Sequence, residues 1–386
     1  MTQIAEKVKF EKIVVKETYN IKEIREALEY KMYVPDVRVK NKLIDELLYY
    51  LKNQFLNPEY KFKPVISYTN GNISGFVIGC INPYYTSYSR KCGTFGWLYA
   101  DSLDVCRKLM RECEKFIRKN KIRKLRGPIN FPKSLGGIGI QTMGFQEQML
   151  YGVAFTDPKS RILEYLQALG YQKESEYTCV YVAQKTWNKG KKVDKDIILR
   201  YFTLEELYDF IDEIENLADN SLYQIMPDSS GIKRIHEFFD AYSKQPKSFY
   251  KIQSEFNPKD YTDIPQFIDA WENCDLEKIE AQPTAFDKNT GELVGIILTL
   301  PDLFEVWAGN PITRVNVDTA MVKKGYYGKG IFSALNNIGQ ITYGLRSAYY
   351  YEGTSIWSNN SKAIDTIFPH CKPIRKHFVV QRRLKA

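Results

Sequence analysis

The stretch KKGYYGKGIF, residues 323–332, places three glycines within six residues and three lysines beside them. It follows a strand-like run, RVNVDTAMV (314–322), and precedes a helical pattern, IFSALNNIGQITYGLRS (331–347). A turn of that kind leaves main-chain N–H groups at the helix start unpaired, and the helix dipole adds about half a positive charge there. Anions bind such a corner without a side-chain ligand, and glycines let the backbone approach a pyrophosphate. Gly325, Gly328 and Gly330 would provide the approach; Lys323, Lys324 and Lys329 would add point charges for further phosphates. The segment is not a P-loop, because Gly330 is followed by Ile331 and Phe332 instead of Lys and Ser/Thr. Nor does it follow the first strand of a βαβ unit, as a dinucleotide-binding glycine motif would.

Two carboxylates lie close to this loop. Alternation along 314–322 puts Arg314, Asn316 and Asp318 on one face and Val315 and Val317 on the other. Asp318, and Glu352 on the next strand pattern AYYYEGTSIW (348–357), could each serve as a general base, directly or through water. The three histidines offer less. His236 sits in a helical pattern, His377 in a strand pattern, and His370 and its neighbour Cys371 point apart if extended. The seven cysteines include no CxxC pair, and no His/Cys/Asp set has ligand spacing, so no metal is expected.

The elements that must hold these residues occur twice. KPVISYTNGNISGFVIGCINPYY (63–85) is a pair of alternating runs around Asn-Gly, a hairpin signature. QPTAFDKNTGELVGIILTLPDLF (282–304) repeats the device around Asn-Thr-Gly, and a slide of 220 residues lays Gly75 on Gly295. The same slide carries strand TFGWLYA (94–100) onto RVNVDTA (314–320). A helix follows in each half (102–120 and 331–347), then a strand (122–130 and 348–357), then a short helix and a closing strand (160–182 and 361–384). Helices over 20–31, 40–54 and 203–221 would precede the hairpins. Hairpins are antiparallel and helical crossovers join parallel strands, so the order implies an α/β (α+β) fold with a mixed sheet in each half. The polar stretch 184–196 reads as the link, giving domains over 1–185 and 197–386 around a linker at 186–196.

Bulk composition narrows the class. Hydrophobic residues at 44% and charged residues at 26% are those of an ordinary globular chain, and 386 residues suffice for two cores. The net charge of +9 admits an anionic ligand, and RKNKIRKLR (118–126) could contact phosphate, though such runs are usually solvated surface. The start MTQIAEKVKFEK lacks a signal-peptide core, and no apolar run nears the ~20 residues of a membrane span. With odd, unpaired cysteines, a cytoplasmic protein in a reducing compartment is expected.

The half-unit resembles the GCN5-related N-acetyltransferase (GNAT) fold, whose phosphate loop follows strand four with the pattern [Q/R]-x-x-G-x-[G/A]. Tyr327-Gly328-Lys329-Gly330-Ile331-Phe332 falls on it: Gly330 matches the central glycine, while Tyr327 and Phe332 depart from the pattern. The family's Asn-x-x-Ala element at the end of strand five corresponds to Asn360 and Ala363. Both halves resemble the fold, but only the second carries these motifs; the first has ADSLDVC (100–106) where the loop would be. The resemblance implies an acyl-CoA-dependent N-acyltransferase using acetyl-CoA or a longer acyl-CoA. Ala320, Met321 and Val322 would pair with the pantetheine arm; Lys324, Gly325, Tyr327, Gly328, Lys329, Gly330, Ile331, Phe332 and Asn360 would complete the coenzyme site. The tyrosine that many relatives use as general acid is replaced by Ile367, which leaves water or one of Tyr349, Tyr350 and Tyr351 for that task. The acceptor would be a small-molecule, lipid-like or peptide amine bound near the junction, with nucleic acid not expected as a partner. Two other readings stand beside this one: an aminoacyl-tRNA-dependent transferase of the peptidoglycan-bridge type, and a non-catalytic module that binds acyl-CoA or a partner protein.

Overall fold

In this computed structural model the described residues are 12–88, 90–182, 193–203, 206–221, 227–229, 235–236, 240, 281–336, 350–360 and 371–385. The first half runs β1 (Ile13–Glu17), α1 (Ile21–Lys31), α2 (Val37–Leu56), β2 (Lys61–Thr69), β3 (Asn72–Ile81), β4 (Thr86–Ser87), β5 (Arg90–Lys91) and β6 (Gly93–Ala100). It continues through α3 (Leu103–Lys119), β7 (Lys124–Gly127), α4 (Lys133–Gly136), β8 (Ile140–Met143), α5 (Ile162–Ala168) and β9 (Gln172–Tyr181). The second half contains β10 (Ile197–Thr203), α6 (Ile211–Ser221), β11 (Asp228–Ser229), β12 (Ala281–Asp287), β13 (Leu293–Pro301), α7 (Leu303–Trp307) and β14 (Arg314–Val322). A helix α8 opens at 331 and is described to 336, followed by β15 (Tyr350–Trp357) and β16 (Lys372–Arg383). Residues 337–349 and 361–370, with the rest of the expected helices, Tyr349, Ala363 and Ile367, lie outside the described residues, as does most of the expected linker.

Both predicted hairpins form. Asn70 and Gly71 have φ of 52° and 90°, the positive pair that a two-residue hairpin turn demands, and Gly291 at 71° closes the second. All strands but three join one mixed, mostly antiparallel sheet in the order β1-β2-β3-β6-β7-β16-β9-β15-β14-β13-β12-β10, with β8 on β16. Among the described residues its parallel pairs are β6–β7 and β14–β15, one per half. Helices α1, α2 and α6 share one continuous core with both halves of the sheet, through Ile24, Leu47, Leu217, Ile296 and Met321. On the opposite face of the first half, α3 and α5 pack Leu109, Cys113 and Leu166 on Val65, Val77 and Phe95.

The repeat is visible atom by atom. A Cβ on Gly75 would lie 2.8 Å from Val105 Cγ1 of α3, and one on Gly295 would lie 2.7 Å from Ile331 Cγ2 of α8. The glycines are 220 residues apart, as the sequence slide has them, yet the helix residues they admit, Val105 and Ile331, are 226 apart. Four of the six extra residues lie between the strand end and these helix residues, 101–104 in the first half against 323–330 in the second; the other two lie between each glycine and the strand-end residue it pairs with, Ala100 or Val322. The glycine loop is thus an insertion into one copy of the unit.

The closing strands do not stay in their own halves, which local periodicity could not have foretold. β16 of the second half lies between β7 and β9, and β9 of the first half lies between β16 and β15. At the centre they pair antiparallel with each other, Arg375 opposite Cys179 and His377 opposite Tyr177. Neither half completes its sheet without a strand from the other. His377 is buried here and donates from Nε2 to the Ala154 carbonyl at 2.8 Å. Burial lowers its pKa from 6.5 to about 4, because the interior disfavours the imidazolium.

A depressed imidazole means the unfolded chain binds the extra proton first, so this contribution is whole above about pH 6.5 and fades as pH falls toward about 4. Urea unfolding of the wild type and of His377→Asn, an amide that can still donate to Ala154, checks it. Between pH 7 and pH 5 the wild type should lose about 2 kcal/mol relative to the variant; parallel losses would contradict a neutral buried imidazole.

Candidate functional site

The parallel ladder between β14 and β15 is short. Arg314 to Val317 pair with Tyr350 to Gly353, and the described pairing stops there. Beyond it β15 continues on β9, through Ile356 opposite Thr178 and Trp357 opposite Tyr177, while β14 continues on β13 to Val322 opposite Gly295. The two strands part, and the β15-facing edge of β14 from Asp318 to Val322 has no strand beside it among the described residues. A bulge sits at the fork: Val317 opposes Thr299 and Thr319 opposes Leu298, leaving Asp318 as the extra residue. The regular alternation expected for 314–322 therefore breaks at Asp318, and Asn316 and Met321, an odd number of residues apart, both face the main core.

The fork is pinned from one side. Asn316 is buried; Thr354 Oγ1 donates to its Oδ1 at 2.7 Å, and its Nδ2 donates to the Tyr151 carbonyl of the first half at 2.8 Å. Behind it, Arg314 joins Glu305 through Nε at 3.1 Å and lies 2.6 Å from Asp302 Oδ2, and it also donates to the Met149 carbonyl. Buried between these charges, Asp302 is pushed up to about 7 by desolvation, against the pull of Arg314.

Of the expected site residues, Ala320, Met321 and Val322 lie on the free-edged stretch; the Val322 carbonyl already accepts from Ser221 Oγ at 3.3 Å. Asp318 is half-buried at the bulge, with Thr319 Oγ1 donating to its Oδ2 at 2.5 Å. The glycine loop opens immediately after. Gly325, Gly328 and Gly330 have φ of 98°, 85° and 77°, values that side-chain-bearing residues rarely adopt. Nothing lies within 4 Å of where a Cβ would stand on Gly325 or Gly328, so this backbone faces open space. Tyr326 anchors the loop through its hydroxyl on Asp287 Oδ2 at 2.9 Å, and the Asp194 amide holds the Lys329 carbonyl at 3.1 Å. Among the described residues the amides of Gly328, Gly330, Ile331 and Phe332 donate to no protein acceptor. Ile331 is buried against Gly295, which fixes the helix start beneath them. Lys323 is engaged by Glu292, while Lys329 sits 5.0 Å over the Tyr326 ring and Lys324 is exposed with Tyr327. Asn360 closes the β15 end, its amide on the Trp357 carbonyl at 2.8 Å.

Glu352 is placed differently from the base it was expected to resemble. It is 0% exposed, and Arg375 of β16 grips both its oxygens, Nε at 2.8 Å and NH2 at 3.1 Å; Tyr350 adds a hydroxyl at 2.8 Å. Burial works against the charge on Arg375, but the Glu352 carboxylate more than offsets it and holds the guanidinium above its ordinary value. With three donors and no exposure, Glu352 has the environment of an ion pair that fastens the exchanged strand to β15. Tyr350 is committed to Glu352, and Tyr351 is buried in a small cluster with Val180 and Val315.

The first half lacks this opening. After its parallel pairing the Phe95 carbonyl accepts from the Ile129 amide at 2.8 Å, and the Trp97 amide donates to Asn130 Oδ1 at 2.7 Å, so the edge of β6 is bridged. Ser102 Oγ caps α3 at the Val105 amide, and Asp101 and Asp104 flank the corner where phosphates would sit.

No family model matches the chain, and no curated protein matches it in sequence. Solved structures match it over nearly its whole length. A tandem GNAT protein from the clavulanic acid biosynthesis pathway superposes with a TM-score of 0.51 at 10% identity, over 97% of this chain and 99% of its own. A GCN5-related N-acetyltransferase from Kribbella flavida gives 0.50 at 8% identity, over 97% and 71%. The glucosamine N-acetyltransferase region of a fungal multi-domain β-N-acetylglucosaminidase gives 0.52 at 10%, over 97% of this chain and 38% of that one. The chain has a tandem GNAT fold. Within that fold the parted strands and the glycine loop coincide, among the described residues, in the second half alone. No described helix is long and apolar enough to cross a membrane, and no described group of His, Cys, Asp and Glu could hold a metal ion.

Removing one partner of a buried ion pair strands the other charge, at a cost of roughly 3–5 kcal/mol. Glu352→Gln should therefore lower the unfolding midpoint sharply. A variant of unchanged stability that had lost turnover would return Glu352 to the chemistry.

Proposed function

We propose that this protein is an acyl-CoA-dependent N-acyltransferase with its donor site in the second half. The observation that carries the reading is the coincidence, in one half only, of a parted β14–β15 pair with an adjoining loop of outward amides. A pantetheine arm has amides of its own and would complete the free edge at Ala320 and Met321, as a neighbouring strand would. The pyrophosphate would lie on the amides of Gly328, Gly330, Ile331 and Phe332, with the Lys324 and Lys329 side chains beside it and Asn360 at the facing strand end.

That arrangement would bring the thioester carbonyl to the fork, next to the Asp318 bulge. The amine nitrogen attacks this carbonyl, the carbon–sulfur bond breaks, and the proton lost by nitrogen passes to the Asp318 carboxylate, directly or through one water. The departing thiolate takes a proton from water, since the hydroxyl of Tyr350 is held by Glu352. The acceptor is a small-molecule, lipid-like or peptide amine approaching from the junction side, where Tyr151 and Asn316 join the halves.

Two variants separate binding from chemistry. Coenzyme A and acetyl-CoA should each raise the thermal midpoint of the wild type by a few degrees, through preferential binding to the folded state. Gly330→Asp, which adds a charge and a side chain at φ 77°, should abolish that shift; an unchanged shift would remove the loop from the site. Asp318→Asn should keep the shift and lower kcat/KM for amine-dependent thiol release by about 10²- to 10⁴-fold. Full activity in Asp318→Asn would exclude this carboxylate as the base.

A further inference from the structure

The first half has no glycine loop and no free strand edge, but a cleft lies beside β6. Where β6 and β7 end, in the position corresponding to the β14–β15 fork, an open cleft is lined by Tyr33, Trp97, Tyr99, Asn130, Phe155 and Asp157. What it can hold is set by its chemistry. The backbone donors that would greet a phosphate are spent: the Trp97 amide goes to Asn130 Oδ1 and the indole Nε1 to the Phe131 carbonyl at 2.8 Å.

Four aromatic rings and one carboxylate line the cleft, and no lysine, arginine or histidine does. Asp157 Oδ1 accepts from the Lys159 amide at 2.8 Å, which orients the carboxylate; its Oδ2 has no partner among the described residues. Basic residues close in sequence to the lining are engaged elsewhere or exposed. Arg161 is bound to Glu164 and lies over the Tyr165 ring at 5.6 Å, Lys31 is held by Asp101, and Lys159 is exposed. Aromatic faces attract cations through their quadrupole, and a fixed carboxylate beside them supplies the counter-charge.

We infer that the first-half cleft binds a small organic ammonium ion. The site is distinct from the acyl-transfer centre: β7, β16, β9 and β15 lie between the two openings, about 19 Å at the usual strand spacing. An amine there is out of reach of a thioester at the fork, and the inference does not rest on the acyltransferase reading.

Isothermal titration of the full chain with choline and with 3,3-dimethylbutan-1-ol, its uncharged analogue of the same shape, tests it. Choline should bind and the alcohol should bind at least tenfold more weakly. Asp157→Asn keeps the acceptor for the Lys159 amide and should weaken choline at least tenfold while leaving the alcohol unchanged. Gly330→Asp should leave choline binding intact. Equal affinity for the two ligands, undiminished choline binding in Asp157→Asn, loss of choline binding in Gly330→Asp, or no heat with choline and n-butylammonium alike would each overturn the inference.

Discussion

An interior strand edge with no described strand beside it is the constraint around which the second half is arranged. Main-chain N–H and C=O groups in a protein interior need partners, and a sheet normally supplies them on both sides of every inner strand. Here β14 has β13 along one side for its whole length and β15 along the other only as far as Val317. Keeping that edge open requires β15 to be held elsewhere. The exchanged strands do this, with β9 pairing along β15 and Arg375 of β16 fastened on Glu352. The Asp318 bulge turns β14 away at the same level, while Asn316 ties the last paired turn to Thr354 and Tyr151.

Duplication of the unit gave two such corners, and they have diverged by identifiable steps. One has the longer loop between strand and helix, rich in glycine and lysine, and no described strand beside its edge. The other keeps a two-residue connection, a serine cap and two aspartates, and Asn130 with Ile129 bridges its edge. An electrostatic preference for anions in the second half is thus matched by an aromatic, acidic cleft in the first. A shared sheet lets each copy specialise, because stability no longer depends on either closing its own fold.

Much of this was legible in the chain. Asn-Gly and Asn-Thr-Gly fixed both hairpins, since few residues tolerate the positive φ those turns need. The glycine loop was legible for the same reason, and Gly75 and Gly295 revealed the repeat because helix and strand cannot approach so closely over a side chain. The role of Glu352 was not legible: its alternation gives a face, but its partner Arg375 lies on β16, 23 residues further along the chain. The bulge at Asp318 was hidden too, since it is a mismatch between two strands and leaves no mark on one. Nor could the short β4, β5 and β11 be anticipated, each only two residues long and paired across the two halves in the case of β4 and β11.

The sequence by itself determined the kinds of elements, their order, their doubling, and the one corner where backbone amides would be left exposed, because turns, periodicity and caps act over a few neighbouring residues. Only the tertiary structure decided which strands lie side by side: that the closing strands trade places, that one carboxylate is sealed in an ion pair while the other stands at an open fork, and that the first half retains a cleft of different chemistry. Those outcomes depend on contacts between residues tens to hundreds of positions apart, which no local pattern encodes.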